Sequence, residues 1–487
     1  MVRRLQNEFT LLLFLLFLAA TVTFLPTSLT RAQTPSPPQE IDELKRRLEQ
    51  LEQTTRQQIE ALRRQIAQQE EEITRLHQQP QQPPAAPLPP SRLQQRQITK
   101  EVQSETFNLE RESAPRIDNA PLDPALRGYF SIPGTPARFK FGGYAKLDVM
   151  VDPRFAGDPD QFVTTTIPVN PPPNTVSMDG NVSARQTRFN VDVRSPTPYN
   201  EDLRVYFEMD FFGMGGATDP RLRHFYGQLK NILLGQTWSA FTDPDNKPDT
   251  LDLEGPAGVI DTRQAQFRYS KPIGNGHSLA FSIERPNVQA PMLSPGGQAT
   301  NPAPDFVARY RYEADRWHTQ ISSLYRALGY NSGQRAQTIF GWGLNGSLGI
   351  MILGRDNIRL NGTYGKGIAR YISNLNGLGL DLDLTNDATG LKALPVVAGY
   401  AAYQHYWWSK LRSSFTFGYD RVQNTTPQPG TAFSKSYYAS GNLIWNAIGN
   451  LNLGVEFLHG WQVLKNDAQG NANRIQFSAK YDLYRKE

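Results

Sequence analysis

The chain has 487 residues, 51 Lys and Arg against 46 Asp and Glu, a formal charge of +5, 38 Gly, 36 Pro and no Cys. Without Cys there is neither a disulfide framework nor a thiolate metal site. The single long apolar run, at the N-terminus, excludes a polytopic helical membrane protein, and so small a net charge is too weak a field for a nucleic-acid binder.

Arg3 and Arg4 precede the apolar run Leu11–Ala20, and Thr30-Arg31-Ala32 follows it. A charged head, an apolar core of roughly ten residues and a small-residue exit predict a secretory signal peptide over 1–32. Residues 33–79 then carry two apolar heptad seams. Ile41, Leu44, Leu48 and Leu51 form the first, Ile59, Leu62, Ile66, Ile73 and Leu76 the second, offset by a stutter. They predict a coiled-coil oligomerisation segment whose strand number stays open, because Thr55 and Gln69 interrupt the seams. Residues 80–137, opening with Pro80-Gln81-Gln82-Pro83-Pro84, read as an extended Pro/Gln-rich linker and lead-in.

From Arg138 the period changes to two. Phe139, Phe141, Leu147 and Val149 alternate with Arg138, Lys140, Tyr144, Lys146 and Asp148, and the same rhythm recurs through Ile475, Phe477, Tyr481 and Leu483. About sixteen such strands are expected over 138–487, with short turns such as Asn275-Gly276 at one end and long Pro-, Asn- and Asp-rich loops at the other. Trp317, Trp407, Trp408 and Trp445 sit beside the short turns, as an aromatic girdle requires. The fold expected is all-β: a sixteen-stranded antiparallel transmembrane barrel preceded by a short α-helical coiled coil.

A barrel of that size encloses an aqueous channel rather than a packed core. Strand phase turns Arg188, Arg194, Arg204, Arg268, Arg309, Arg311, Arg359, Arg412, Arg474 and Lys480 inward, with Asp192, Glu208, Asp210, Glu284, Asp420 and Glu456. The basic excess favours small anionic solutes. The third long loop, Asp243 to Gly255, is acidic and stiffened by Pro244 and Pro248. Folded inward, its Asp249, Asp252 and Glu254 would face the arginine wall across a constriction. A solvated outer loop is the plainer reading, and the two prolines break any calcium-loop spacing.

Gly128-Tyr-Phe-Ser-Ile-Pro-Gly-Thr135, Phe141-Gly-Gly-Tyr-Ala-Lys-Leu-Asp148, Arg223-His-Phe-Tyr-Gly-Gln228, Leu234-Gly-Gln-Thr-Trp-Ser239 and Arg263-Gln-Ala-Gln-Phe-Arg-Tyr269 together resemble the DcaP-like porins over roughly 128 to 483. The resemblance implies a homotrimeric diffusion channel in outer-membrane lipid. It also implies a periplasmic N-terminal coiled coil and small anionic, often dicarboxylate, solutes. Carried over by motif, Arg188, Gln236, Arg263 and Arg268 would lie near the constriction; strand phase supports all but Arg263, which shares the side of Phe267. The C-terminus departs from the family habit of ending on an aromatic residue, since Arg485-Lys486-Glu487 follow Tyr484.

The six His are scattered, with no H-E-x-x-H and no Gly-x-Ser-x-Gly elbow, so neither an enzyme, a cofactor nor a metal is expected. His224 and His405, the two placed well inside strands, read as lumen or girdle residues. The rival to a pore is a structural anchor. In it the coiled coil and polyproline arm would tether the envelope, with peptidoglycan as partner, and loops would close the barrel.

Overall fold

The computed structural model describes residues 129–171, 177–197, 202–213 and 218–483. The predicted signal peptide and coiled coil, most of the linker, and Tyr484 with the three residues after it lie outside these residues.

Sixteen long strands form the wall: β1 (Arg138–Asp152), β2 (Arg188–Pro196), β3 (Asp202–Asp210), β4 (Arg221–Leu229), β5 (Ile232–Trp238), β6 (Arg263–Gly274), β7 (His277–Glu284), β8 (Asp305–Glu313), β9 (Trp317–Asn331), β10 (Ala336–Met351), β11 (Asn357–Lys366), β12 (Pro395–Trp408), β13 (Leu411–Val422), β14 (Phe433–Ile448), β15 (Leu451–Leu464) and β16 (Gln469–Asp482). Each pairs antiparallel with the next, and β16 returns to β1 in the register Tyr144↔Asp482 to Val151↔Ile475, which closes the barrel. Closure leaves no edge strand to satisfy, as a sheet in lipid requires. The second wall strand starts at Arg188, a few residues later than the alternation suggests. Asp179–Ser183 forms a separate short strand that pairs with the far end of β1.

Burial along each strand follows the alternation with its usual sense reversed. In β1, Tyr144, Lys146, Asp148 and Asp152 are buried while Leu147 and Val149 are exposed; in β13, Asp420 is buried while Phe415 and Phe417 are exposed. Apolar side chains facing out and polar ones facing in suit a wall whose outer solvent is hydrocarbon. At the short-turn end, Trp317, Trp407 and Trp408 are exposed on the outer surface, and Tyr312 stacks on Trp317 at 4.8 Å. Asn275 (φ 50°) and Gly276 (φ 81°) take the paired positive φ values of a tight hairpin turn. The length rhythm has two exceptions: the four-residue connections 332–335 and 465–468 lie at the long-loop end. His459 also lies well inside a strand, on the outer surface of β15, with Nδ1 2.8 Å from Asn473 Oδ1.

The interior differs from the empty channel that strand number alone implies. Phe241 and Ile260 of the loop after β5 pack with Ile368, Tyr371, Ile372 and Leu375 of the loop after β11. Leu324, Val396 and Phe433 of the wall belong to the same cluster. A second cluster seats Phe162 and Ile167, from the loop after β1, against Tyr438 and Leu458. Loops carry apolar side chains when those side chains have somewhere dry to go, and here the inner wall provides it.

Candidate functional site

The third long loop, residues 239–262, makes its contacts with inward side chains in strand order. Asp243 begins a 3₁₀ turn, Pro244–Asn246, by accepting from Asp245 N at 3.2 Å; Asp before Pro at the first helical position is the favoured chemistry for such a start. Arg311 of β8 donates to Asp243 at 2.9 Å and to Asp245 at 2.7 Å, and Ser347 of β10 donates to Asp243 at 2.5 Å. Next, Asn246 donates to Leu360 O of β11 at 2.6 Å, and Tyr400 of β12 donates to Asn246 O at 3.0 Å. Arg359 donates to Lys247 O at 2.5 Å. Asp249 accepts from Gln404 at 2.6 Å and from Arg412 of β13 at 2.5 Å, and its carbonyl accepts from Asn442 of β14 at 2.6 Å. Glu456 of β15 accepts the backbone N–H of Leu251 at 2.5 Å and of Asp252 at 2.9 Å. Leu251 O accepts from Lys146 of β1 at 2.8 Å and from Gln476 of β16 at 3.0 Å.

Close backbone approach holds the returning limb. Gly258 has φ +86°, and a Cβ there would stand 2.5 Å from Gly399 N; a Cβ on Gly418 would stand 2.4 Å from Ala257 O. Only glycine allows chain and wall to lie this near.

The strands that the loop's first limb leaves uncovered carry a dense charge cluster. Arg223 Nε lies 2.7 Å from Glu208, its Nη1 lies 3.0 Å from Asp210, and Arg221 meets Asp210 at 2.7 Å. Arg188, fully buried, places Nη1 3.7 Å from Glu208 and its guanidinium 5.5 Å from the Tyr144 ring. Lys247 pairs with Asp261 at the far end of the same loop at 2.6 Å, and its Nζ sits 4.0 Å over the Trp238 ring, which Arg263 also faces at 4.9 Å. Glu254 is a charged neighbour of Arg221 and Asp261. On balance the cluster is positive: Arg188, Arg221, Arg223, Arg263 and Lys247 against Glu208, Asp210, Glu254 and Asp261.

Burial acts on the loop's own titratable groups. It lowers the Lys247 ammonium to about 8 despite Asp261, and raises the Asp252 carboxyl to about 7 although the Phe162 N–H bonds it. Burial also opposes ionisation of Asp243, but Arg311 and His318 outweigh it and hold that carboxylate well below its usual range.

Of the residues singled out from sequence, Arg188, Arg204, Arg268, Arg309, Arg359 and Arg412 all lie on the inner face. Arg204 pairs with Asp192 at 2.9 Å, and Arg268 donates to Gln266 at 2.9 Å and to the Trp238 carbonyl. Gln236 is corrected: it pairs with exposed Phe225, shares the side of exposed Leu234, and donates to Leu222 O at 3.1 Å on the outer surface. Arg263 keeps the phase of Phe267, with no bulge between β5 and β6, yet is buried. At the strand end its side chain turns onto Trp238, with Asp261, Asp210 and Glu208 as charged neighbours. Asp249, Asp252 and Glu254 are buried too, but Asp249 touches the arginine wall directly instead of facing it across a gap. Sequence phase missed Arg223 because a bulge between Glu208 and Met209 turns both Arg223 and His224 inward. It also missed Lys247 and Trp238, which stand in and beside the loop, where alternation carries no information.

A second buried network ties the loop after β11 to the wall. Asp305 of β8 meets Arg326 at 3.1 Å and Arg370 at 3.3 Å, and accepts from Tyr371 at 2.7 Å; Arg326 also meets Asp381 at 2.9 Å. Among the described residues no His, Asp and Glu cluster could hold a metal ion.

The family model for the DcaP outer membrane protein matches residues 131–483. No curated protein matches the sequence. Among solved structures, the outer membrane channel DcaP of Acinetobacter baumannii superposes with a TM-score of 0.65 at 20% identity, covering 73% of this chain and 99% of that one. OmpT of Vibrio cholerae gives 0.46 at 11% identity, over 72% of this chain and 99% of that one. A Salmonella typhi OmpF complex with daunomycin gives 0.47 at 8% identity, over 73% and 100%.

Proposed function

We propose, from the premise that the chain belongs to the DcaP outer membrane protein family, that it is a homotrimeric porin. In this reading small anionic, dicarboxylate-like solutes diffuse passively through a water-filled path that residues 239–262 constrict. The observation that carries it is the cluster of Arg188, Arg221, Arg223 and Arg263 on the wall with Lys247 of the loop, five cations against the four acids Glu208, Asp210, Glu254 and Asp261. Fixed guanidinium groups in a low-dielectric constriction exchange an anion's hydration for charge-assisted hydrogen bonds and repel cations. The planar, two-pronged guanidinium matches each carboxylate of a dicarboxylate. The reading assigns no catalytic step and no cofactor.

A second reading keeps the barrel but closes it: an outer-membrane anchor tethered to peptidoglycan through the N-terminal segment. The full burial of Arg188 and Arg223 favours it, since a wet pore would leave such groups in contact with water.

Planar-bilayer conductance of the purified mature protein under a KCl gradient separates the two. Closure in three steps, a reversal potential on the anion side and flicker on adding succinate are expected of the porin. Arg188→Ala and Arg268→Ala should each reduce anion permeability. A folded, membrane-inserted but silent barrel would overturn the porin reading in favour of the anchor.

A further inference from the structure

We propose that the outer surface of β13–β15, at the end carrying the long loops, binds the phosphate groups of the membrane lipid around it. Arg421 and Lys435 are direct cross-strand partners. Their neighbours Asp420 and Ser436 are also partners and turn inward, where Ser436 donates to Asp420 at 2.6 Å. By alternation Arg421 and Lys435 therefore both face outward; Arg421 is exposed and Lys435 half-buried.

Like charges directly opposite one another on one face destabilise a sheet. Neither cation is in an ion pair with a carboxylate among the described residues. A third outward cation, Lys366, ends β11 nearby. Arg421 bonds the Tyr419 side chain, but that contact carries no negative charge, and an anion supplied from outside the chain would stabilise the pair.

The depth of the patch identifies that anion. One outward row deeper, Tyr437 pairs with both Tyr419 and Trp461, and the rings stack at 5.0 and 5.4 Å. Below them come exposed Phe415, Phe417 and Phe457. Aromatic rings of this kind settle at the boundary between hydrocarbon and headgroup. The row above them, which holds Arg421 and Lys435, then lies at the level of lipid phosphates. Arg grips phosphate with two parallel N–H donors, and Lys adds a point charge. This site depends on membrane embedding alone and is independent of whether the barrel conducts.

The test uses the full chain, extracted in detergent, freed of lipid and titrated with the phosphorylated glycolipid lipid A. Bound lipid is counted by native mass spectrometry. Wild type is expected to retain it, and the Arg421→Gln, Lys435→Gln double variant to bind about thirty-fold more weakly, equivalent to about 2 kcal/mol. The charge-keeping swap Arg421→Lys, Lys435→Arg should bind nearly as wild type does, and dephosphorylated lipid A should bind wild type poorly. Equal retention by the double variant overturns the proposal, as does equal binding of the dephosphorylated lipid. If the double variant falls apart into single barrels with lipid retention unchanged, the patch is a contact between subunits and the proposal is likewise overturned. Channel current should be the same in all variants, so failure here is distinct from failure of the porin reading.

Discussion

Asp249, midway along the third long loop, accepts from Arg412 Nε on β13 at 2.5 Å, and Gln404 of β12 donates to the same carboxylate at 2.6 Å. One loop carboxylate thus holds two adjacent wall strands.

Replacing Asp249 with Ala strips the acceptor from both donors and frees the centre of the loop. A loss of about 2 kcal/mol in unfolding free energy is expected, together with noisier and larger single-channel currents. Arg412→Ala should look much the same, and the double variant should cost clearly less than the two single losses added. Additive losses in denaturant titrations would show that the pair is not a tether.

In the porin reading, Lys247 gives the path a pH dependence. Burial lowers its ammonium to about 8, so above that pH the group is neutral and the charge cluster loses one positive charge. Anion preference, read as reversal potential in a KCl gradient, should therefore fall between pH 7 and about pH 9. Lys247→Arg holds its charge throughout that range, and its reversal potential should stay flat. A wild-type profile that is also flat would remove Lys247 from the selectivity determinant.

Asp305 serves Arg326, Arg370 and Tyr371 at once. Asp305→Ala leaves two buried guanidinium groups short of a carboxylate, a loss expected to reach about 3–5 kcal/mol. The temperature at which the heat-modifiable band shifts on a gel should drop sharply. Arg370→Ala, which keeps the Arg326 and Tyr371 bonds to Asp305, should fall between this variant and wild type.

At Gly418 a side chain has nowhere to go, because its Cβ would meet Ala257 O at 2.4 Å. Gly418→Val should push the loop's returning limb off β13 while leaving the outer surface untouched. Altered conductance in a barrel that still inserts is the expected result; unchanged current would mean that the limb does not bound the path.

The wall was legible in the sequence because strand alternation is a local property. Each of Arg188, Arg204 and Arg268 follows from its neighbours two residues away. Where the chain leaves strict alternation, the reading fails for identifiable reasons. Gln236, however, keeps the phase of exposed Ile232 and Leu234, so expecting it inside was one position out of register. The bulge on β4 turns Arg223 inward, and Arg263 bends onto Trp238 at a strand end. Apart from the third long loop, whose acids suggested an inward course, the destinations of the loops were hidden. Phe241, Ile368, Tyr371, Ile372 and Leu375 stand in connections that a composition of Pro, Asn and Asp marks as solvated. Their apolar spacing was the one available sign that these loops bury a face.

Leu251 O receives Lys146 from the first strand and Gln476 from the last. Those two donors become neighbours only when β1 and β16, the first and last strands of the wall, are paired. The loop therefore has no complete seat in an unzipped barrel, and once seated it acts as a latch across the join. Seating the loop and closing the wall are thereby coupled through a single carbonyl oxygen.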